Sequence, residues 1–506
     1  MTPATRRLLT AATMSATVMQ ALDTTIANVA LPYMQGSLSA SLDQVNWVLT
    51  SYIVAAAIMT APIGWLADRF GRKKLFMVCV TGFTFASFLC ALAQNIEQMV
   101  AFRLLQGLFG AALVPLSQTV MLDAYPPAQR GSAMAIWGMG VMLGPIMGPT
   151  LGGWLTETYS WHWVFLINVP IGILTVLGLM AVMPETEKKS HLRFDWLGFA
   201  ALAVGIGALQ LMLDRGEQVG WFESSEIIAE AVISVAGFYF FFAHSLTTTE
   251  PFIRFAIFRD RNFVTACLFS IAIGITLFAT MALVTPFMQN MLGYPILTAG
   301  FLLGSRGVGT FFTMMIAGRL TARTEPRSII FLGFGLIAAT LYVMVGFNAD
   351  TSQWTIVLTS MVQGVGLGCV FVPLNAVAFN TLPAHLRTDG TAILTLMRNI
   401  ASSIGISVVI ANLTRGTSVM HANLAEYVTP FNDALRMPDV ARALDLATDT
   451  GRALADQLLT QQAALIAYAN DFKLLMWLTI VACFLVPLIK PIQRAAAAPA
   501  PADAMH

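Results

Sequence analysis

The residue of this chain best placed to do chemistry is an acid inside an apolar stretch, Asp23, which lies within residues 22–32. An unpaired carboxylate surrounded by hydrocarbon costs several kcal/mol or takes up a proton. A group that changes its charge in such a place can couple proton binding to a change of conformation. We therefore predict that Asp23 is a proton-coupling residue. The alternative is an Asp23 that is held in a salt bridge or reaches a membrane interface.

A cation in a second apolar stretch is the natural partner of Asp23. Arg103 lies about one turn into residues 99–122, and its guanidinium, which is always charged, needs a carboxylate or a wet cavity. If the two residues approach, Arg103 keeps Asp23 ionised until substrate or a rearrangement separates them. The alternative is an Arg103 that reaches the outer head groups. Four further polar residues of apolar stretches are candidates for a substrate cavity: Asn28, Gln106, Arg306 and Arg398.

Composition places most of the chain in lipid. Of its 506 residues, 57% are hydrophobic and 11% are charged, and the mean hydropathy is +0.72. A single water-soluble core cannot hold that much apolar surface. The balance of 28 Lys and Arg against 27 Asp and Glu leaves no basic face for nucleic acid. We expect the partners to be the lipid bilayer and hydrophobic small molecules.

The sequence lacks the motifs of the main enzyme classes. It contains no Gly-x-x-x-x-Gly-Lys-Ser/Thr loop, no His-Glu-x-x-His and no Gly-x-Ser-x-Gly, which argues against ATP hydrolysis and against an intramembrane enzyme. The five cysteines lie in apolar runs without a Cys-x-x-Cys pair, so neither disulfides nor a metal site is indicated. We expect no enzyme activity and no cofactor, with the proton motive force as the source of energy.

The lengths of the apolar runs predict an all-α polytopic membrane protein. A membrane-crossing helix needs about 20 mostly apolar residues, because a helix rises ~1.5 Å per residue and the hydrocarbon layer is ~30 Å thick. Fourteen such runs are present: 8–32, 47–67, 75–94, 99–122, 133–156, 163–183, 196–213, 227–246, 263–291, 296–320, 328–347, 354–380, 391–412 and 472–490.

The charges between these runs predict the orientation. Lys and Arg in short loops stay on the cytoplasmic side, and every second gap is basic, whereas the alternate short gaps hold only Arg215. Both termini are then cytoplasmic. The basic gaps contain Arg69, Arg72, Lys73, Lys74, Arg130, Lys188, Lys189, Arg193, Arg254, Arg259, Arg261, Arg319, Arg323, Arg327 and Arg387.

The segment 413–471 is the one sizeable stretch between the predicted spans, and it falls on the outer side. Apolar residues recur there at helical spacing, which predicts a helix from Val440 to about Tyr468. Such a helix is either a solvated one lying on its own protein or a docking surface for an adaptor. Residues 495–506 are rich in Ala and Pro and are expected to be disordered.

An internal repeat divides the chain. Gln106-Gly107 and Gln363-Gly364 are 257 positions apart, as are Arg130 and Arg387. The fourth predicted span thus corresponds to the twelfth, and two six-helix halves flanking a substrate site form a known transporter plan. The predicted domains are an N-terminal half at 1–190, an inserted two-helix hairpin at 191–250, a C-terminal half at 251–494 and a tail at 495–506.

Two further motifs predict close helix contacts. The turn between the second and third spans contains glycines that permit close backbone approach and an acid that can accept hydrogen bonds from a helix end, so we assign a gating role to Gly64, Asp68, Arg69, Gly71 and Arg72. Its basic residues also serve as a topology anchor. On the fifth span, a small-residue stripe predicts unusually tight helix packing: Gly140, Gly144, Pro145, Gly148, Pro149 and Gly152.

These segments together resemble the major facilitator superfamily, in its branch of fourteen-span drug:proton antiporters, over nearly the whole chain. The resemblance implies a major facilitator fold of six, two and six helices, with proton coupling at Arg103 and the export direction set by residues 140–153. The C-terminal copy of the loop motif, 318–323, departs from the pattern because it lacks the Asp. Only the N-terminal copy can therefore make the Asp68 contact.

Residues 125–127, 168–170, 213–216 and 420–432 are similar to those of inner-membrane subunits of tripartite efflux pumps. This similarity implies a periplasmic membrane-fusion adaptor and an outer-membrane channel as partners. The function it implies is proton-coupled antiport of hydrophobic drugs out of the cell, and Asp23 as the one clear membrane-depth carboxylate favours neutral or weakly acidic substrates. Two alternatives remain: an exporter or flippase of an endogenous lipid or metabolite, and a receptor or scaffold that transports nothing.

Overall fold

The fold is that of a computed structural model, which describes residues 2–126, 129–186, 188, 193–248, 251–429, 432, 437, 444 and 446–490. The predicted all-α architecture is confirmed, since these residues form helices and no strand. The α-helices are α1 Pro3–Ser37, α2 Leu42–Thr60, α3 Ile63–Phe70, α4 Arg72–Ala91, α5 Ile96–Gly110, α6 Leu113–Ala124, α7 Arg130–Thr158, α8 Trp163–Leu166, α9 Asn168–Val182, α10 Trp196–Arg215, α11 Ser225–Thr247, α12 Arg261–Pro286, α13 Ile296–Arg323, α14 Pro326–Val345, α15 Gln353–Asn380, α16 Arg387–Ala425 and α17 Asp449–Leu485.

Local sequence explains where several of these helices begin. Ser41 and Gln44 form a capping box at the start of α2, and such reciprocal bonds satisfy backbone N–H groups that the first turn leaves unpaired. The carboxylate of Asp195 accepts from the Gly198 N–H at 2.9 Å to cap α10. Asp260 accepts from Asn262 and Phe263 in the same way at the start of α12. The last two caps define where α10, the first helix of the inserted pair α10 and α11, and α12, the helix after that pair, begin.

The number of membrane spans differs from the prediction. Within the described residues, eleven helices are long and apolar enough to cross a membrane, or twelve if α2 and α3, which meet at a 59° bend, form one span. Every one of the fourteen predicted runs is helical, but α1 and α7 are not among those eleven or twelve. Polar residues such as Thr13, Thr17 and Asp23 interrupt α1. The count of fourteen is therefore not confirmed.

The helices form two sets that meet along two seams. In the N-terminal set, α1–α9, helix α1 packs on α7 and α9, and α5 packs on α2 and α4. In the C-terminal set, α12–α17, helix α12 packs on α16, and α15 packs on α13 and α14. The sets meet where α7 contacts α13 and where α3 and α6 contact α16. The predicted domain boundaries near 190 and 250 lie outside the described residues and stay predictions.

The inserted pair, α10 and α11, packs together through small residues and attaches to both sets. Ser234 Oγ of α11 donates to the Gly205 carbonyl of α10 at 3.0 Å. On its other side α10 contacts α2 of the N-terminal set and α16 of the C-terminal set. Ser407 Oγ of α16 donates to the Leu213 carbonyl at 2.8 Å. The pair therefore lies across one of the two seams.

The last two long helices extend beyond a membrane thickness. Helices α16 and α17 have 39 and 37 residues, which at ~1.5 Å per residue is well over the ~30 Å hydrocarbon layer. His421 Nε2 of α16 lies 2.9 Å from Asp456 Oδ1 of α17, so the two extensions are paired. The predicted outer segment 413–471 is thus helical up to Ala425 and again from Asp449; the predicted start of its helix, Val440, lies outside the described residues.

Candidate functional site

A buried ion pair joins α1 to α5. Arg103 Nη1 donates to Asp23 Oδ2 at 2.7 Å, and the exposed fractions of the two side chains are 1% and 0%. The predicted contact between Asp23 and Arg103 is therefore confirmed. Its role in proton coupling stays a prediction, because geometry alone does not report a proton transfer.

Two amides complete the hydrogen bonding of the Asp23 carboxylate. Gln106 Nε2 of α5 donates to Oδ1 at 2.8 Å, and Asn168 Nδ2 of α9 donates to the same oxygen at 3.0 Å. Three donors from two helices thus surround one carboxylate. A buried charge is tolerated only when it is paired and hydrogen-bonded, and Asp23 meets both conditions.

Arg103 is held from three further directions. Its Nε donates to the Val48 carbonyl of α2 at 2.9 Å, and Nη1 also donates to Gln106 Oε1 at 2.8 Å. The guanidinium carbon lies 4.4 Å from the centroid of the Tyr52 ring, within the range of a cation–π contact. These contacts anchor Arg103 to α2 and α5, while Asp23 belongs to α1. A movement of α1 relative to α5 would therefore separate the pair.

The glycine stripe of α7 packs against the helix that carries Asp23. A Cβ on Gly144 would lie 2.1 Å from the Ala21 carbonyl oxygen, and one on Gly148 would lie 2.1 Å from Thr25 Oγ1. Gly140 and Gly152 face Met14 and Ile26 in the same way. Thr25 Oγ1 donates to the Gly144 carbonyl at 2.9 Å. The stripe thus permits tight contact between α1 and α7, as predicted; the side chains of Pro145 and Pro149 lie outside the described set.

The gating motif contacts the C-terminal set at the predicted cytoplasmic end. Arg254, between α11 and α12, donates from Nη2 to Asp68 Oδ2 at 2.9 Å and from Nε to Asp389 Oδ2 at 2.7 Å. Burial alone lowers the pKa of Arg254, but the carboxylates of Asp389 and Asp68 outweigh it and raise the pKa above its usual value. A third acid, Asp123 of α6, pairs with Arg72 and, at 2.6 Å, with Arg387. The pairs of Arg254 with Asp68 and of Arg387 with Asp123 connect the two sets at this end.

Two glycines of the motif have distinct geometric roles. Gly71 has φ +85°, a left-handed conformation that glycine adopts without steric cost, between the end of α3 and the start of α4. Gly64 lies against α16, where a Cβ would stand 1.6 Å from Asp389 Oδ1. Arg69 is half-buried beside them. At the other seam Gly318, in the copy of the motif without Asp, packs on Ala135 of α7.

The four candidate substrate-cavity residues do not come together. Gln106 belongs to the Asp23 network, and Asn28 is exposed on α1. Arg398 is half-buried on α16, with its guanidinium 5.5 Å from the Phe371 ring centroid. Arg306 of α13 is buried beside a cavity of about 20 Å³. Only the last two lie where the sets face each other.

A larger cavity, of about 310 Å³, lies where α10 bridges the sets. Its wall includes Ile53 of α2, Gln210 and Asp214 of α10, and Ile406 of α16. Asp214 accepts a hydrogen bond from Thr50. Within the described part of the chain, His, Cys, Asp and Glu form no group that could hold a metal ion.

Sequence reasoning missed several of the contacting residues. The sequence places Asn168 only within the segment 168–170 that is similar to efflux-pump subunits and Arg254 only among the topology charges, and no motif singles out Asp389. The internal repeat contains a sign of Asp389. At the repeat offset of 257 it corresponds to Ser132, so the C-terminal half has an acid where the N-terminal half has a small hydroxyl residue. Asp471 of α17 is a further buried carboxylate, 2% exposed, at a position just outside the predicted span 472–490.

Comparison with known proteins agrees with this geometry. The model of the Major Facilitator Superfamily matches residues 13–406. Among solved structures, the human organic anion transporter MFSD10 superposes with a TM-score of 0.60 at 14% identity, covering 95% of this chain and 100% of that one. The proton:xylose symporter XylE has a TM-score of 0.58 at 14% identity, with 97% of each chain covered. At such low identity these two show the fold alone.

Curated relatives are much closer in sequence. The chain is 34% identical over 491 residues to the "Multidrug export protein EmrB" of Escherichia coli K12, which covers 96% of this chain and 95% of that protein. It is 36% identical over 427 residues to EmrB of Haemophilus influenzae, with 84% of each covered. It is 33% identical over 480 residues to the "Fatty acid resistance protein FarB" of Neisseria gonorrhoeae, with 94% of each covered. This multi-pass membrane protein therefore belongs to the major facilitator superfamily, in the family of multidrug export transporters that includes EmrB.

Proposed function

We propose that this chain is an antiporter that exports hydrophobic compounds across the inner membrane of a bacterium and draws its energy from protons. The observation that carries the proposal is the fully buried pair of Asp23 and Arg103, with its amide partners Gln106 and Asn168. The similarity to multidrug export proteins supports the same function. On this proposal both termini lie in the cytoplasm.

Protonation of Asp23 would weaken the hydrogen bonds that its carboxylate accepts. Ionised Asp23 accepts from Arg103, Gln106 and Asn168, and hydrogen bonds to a charged group contribute about 1.5–3 kcal/mol each. Neutral Asp23 no longer offers a charged acceptor to the three donors, and its bond to Arg103 loses the attraction between opposite charges, so α1 is then bound less firmly to α5. Two states of one carboxylate would thus favour two positions of one helix, which is the requirement for coupling a proton to a conformational change.

The packing offers a route from α1 to the seam between the sets. Helix α1 contacts α7 along its glycine stripe, and α7 in turn contacts α13 of the C-terminal set. Gly138 of α7 lies against Met314 of α13 and Phe371 of α15, with a Cβ position 3.0 Å from Met314 Sδ. A shift of α1 would therefore reach the surface on which the two sets rock. The ion pairs of Asp68, Arg254 and Asp389 would break when the cytoplasmic end opens.

The paired extensions of α16 and α17 would dock the periplasmic adaptor of a tripartite pump, which continues to an outer-membrane channel. They project well beyond a membrane thickness and present apolar side chains: Val419, Leu454 and Leu458 are 46%, 41% and 42% exposed. Exposed apolar groups on a projecting, otherwise polar helix pair favour a protein interface. The pairing of His421 with Asp456 holds that surface together.

The test is substrate-induced proton movement in proteoliposomes, measured with a panel of lipophilic cations, weak acids and neutral hydrophobic compounds. We expect proton flux with part of the panel in the wild type and no flux in Asp23→Asn, which nevertheless binds the same compounds. Asp471→Asn is the matched control, because it makes the same change at another buried carboxylate that does not contact Arg103. It should retain flux.

Each other outcome contradicts part of the proposal. Undiminished flux in Asp23→Asn would remove Asp23 from coupling, and loss of flux in Asp471→Asn alone would move coupling to α17. If no compound moves protons in the wild type, drug antiport is wrong, and an endogenous lipid or metabolite as the cargo becomes the better reading.

A further inference from the structure

Arg306 differs from every other arginine described above because it is buried and unsatisfied. It lies on α13 with 6% of its surface exposed. None of its three guanidinium nitrogen atoms, Nε, Nη1 and Nη2, has a hydrogen-bond partner among the described residues. A guanidinium carries five N–H donors. Arg103, at similar burial, uses its donors on Val48, Asp23 and Gln106, so burial by itself does not explain the difference.

The charge on Arg306 has to be compensated by something outside the described chain. A guanidinium does not give up its proton in proteins, and an unpaired charge in an apolar interior is costly. Arg398 of the same helix set has no carboxylate partner either among the described residues; it lies over the Phe371 ring. The N-terminal set balances its membrane-depth cation with Asp23, whereas the C-terminal set leaves its cations without an acid. An anion bound beside Arg306 would neutralise this charge.

The surroundings of Arg306 specify the rest of that anion. Arg306 lines a cavity of about 20 Å³ together with Met142, Leu277, Met281 and Leu303. A water-sized probe occupies about 10–15 Å³, so in this conformation the cavity has room for about one water, and an anionic head group enters only when its walls move apart. The other walls are hydrocarbon and thioether, and methionine adapts its shape to varied apolar partners.

The cavity also lies on the surface that opens during transport. Met142 belongs to α7 of the N-terminal set, whereas Leu277, Met281 and Arg306 belong to α12 and α13 of the C-terminal set. Separation of the sets would widen the cavity enough to admit an apolar body behind the head group. In the present conformation the sets are joined at the predicted cytoplasmic end, and the space is small.

We propose that Arg306 binds the carboxylate of an amphiphilic organic acid and is the residue that selects the ionised acid over neutral compounds of the same shape. This inference rests on the proposed export function and names one substrate class for it. The planar guanidinium matches a carboxylate with two parallel N–H···O bonds. The apolar walls from α7 and α12 contact the body of the molecule.

The experiment compares two probes of nearly the same shape, naphthalene-2-carboxylate and naphthalene-2-carboxamide. Equilibrium binding to the full-length purified protein is measured by titration calorimetry, with no membrane and no proton gradient. We expect the carboxylate to bind at least about tenfold more tightly than the carboxamide, as a charge-assisted pair of bonds implies. Arg306→Gln should reduce that ratio to about one, and Arg306→Lys should keep part of it, because the charge remains. Arg319→Gln, at the exposed end of the same helix, is the matched control and should retain most of the preference.

Two further measurements separate the alternatives. Thermal unfolding should show Arg306→Gln to be at least as stable as the wild type, because the substitution removes no hydrogen bond within the protein. A clear loss of stability would mean that Arg306 has a structural partner and would overturn the proposal. The preference should be the same in a chloride buffer and in a chloride-free sulfate buffer; its loss in chloride would identify a halide site instead.

Failure of this inference is distinguishable from failure of the antiport proposal. The carboxylate preference should persist in Asp23→Asn, because binding requires no proton coupling. Equal binding of both probes to the wild type, or a preference retained in Arg306→Gln, overturns the role of Arg306 while proton flux can still be intact. Conversely, a clear Arg306-dependent preference with no proton flux leaves the binding site standing and removes the antiport.

Discussion

The contact between Gly64 and Asp389 predicts that one methyl group will shift the conformational equilibrium. A Cβ on Gly64 would stand 1.6 Å from Asp389 Oδ1 and 3.2 Å from its Cα, whereas ordinary contacts are about 3.4 Å or longer. The Asp389 carboxylate must therefore move in Gly64→Ala. It is held by Arg254 Nε at 2.7 Å, and Arg254 also holds Asp68 of the N-terminal set at 2.9 Å, so moving it disturbs the link between the two helix sets at the predicted cytoplasmic end.

The size of the effect follows from that hydrogen bond. A bond between charged groups contributes about 1.5–3 kcal/mol, and we take the lower end because Arg254 is 33% exposed and water replaces part of the loss. About 1.5 kcal/mol corresponds to roughly a tenfold change in the ratio of closed to open molecules. Gly64→Ala should accordingly raise the open population by up to about tenfold.

The assay is alkylation of a cysteine placed one turn inside this end. Thr119 of α6 and Thr391 of α16 are fully buried, with their hydroxyl oxygens 2.9 Å apart across the seam. In a protein whose five native cysteines are replaced by alanine, Thr119→Cys should react faster with a polar maleimide when Gly64→Ala is added. Gly335→Ala on α14 is the control, because a Cβ there meets nothing within 4 Å.

The clash mechanism itself can be refuted by a double substitution. If Asp389 is what the added methyl group displaces, Gly64→Ala should have little further effect in an Asp389→Ala background, because the two changes act on one contact. Equal alkylation rates with and without Gly64→Ala, or full additivity of the two substitutions, would show that this reasoning about the gate is wrong.

Two further predictions concern other contacts. Gly144→Ala should lower the thermal unfolding temperature in detergent relative to Gly335→Ala, because its Cβ would lie 2.1 Å from the Ala21 carbonyl oxygen and overpacking costs about 1–3 kcal/mol; an unfolding temperature equal to that of the control would contradict the tight packing of α1 on α7. Leu458→Asp, on the exposed face of α17, should reduce drug resistance in cells but leave transport in proteoliposomes unchanged, since no adaptor is present there; an equal loss in both assays would point to a folding defect instead of a docking defect.

The sequence predicted the helical fold and one of its central contacts. Apolar runs of membrane length have few conformations open to them, because every backbone group must find a partner within the lipid. Because polar partners are equally scarce for side chains in lipid, the pairing of Asp23 with Arg103 was predictable although 80 positions separate them in the sequence, and the structure confirms it. The glycine stripe of α7 was recognisable as well, because spacing along one helix is a property of the sequence alone.

Spacing does not reveal which helix a stripe or a loop will meet. Asn168 reaches Asp23 only because α9 packs on α1, and Asp389 reaches Arg254 and Gly64 only because the two helix sets close at one end. The number of membrane spans could not be predicted from composition either. Polar residues lower the hydropathy of α1, yet the packing of the other helices buries several of them.

What the sequence by itself determined is the membrane fold, the repeat and the acid–base pair, because each depends on the cost of polar groups in lipid or on regular spacing along the chain. Only the tertiary structure decided which of the buried arginines lies beside an acid. Arg103 and Arg306 look alike in sequence, but one lies against an acid and the other against Met and Leu side chains at the seam. That difference arises from distances between helices, and it is where the protein's choice of substrate is proposed to lie.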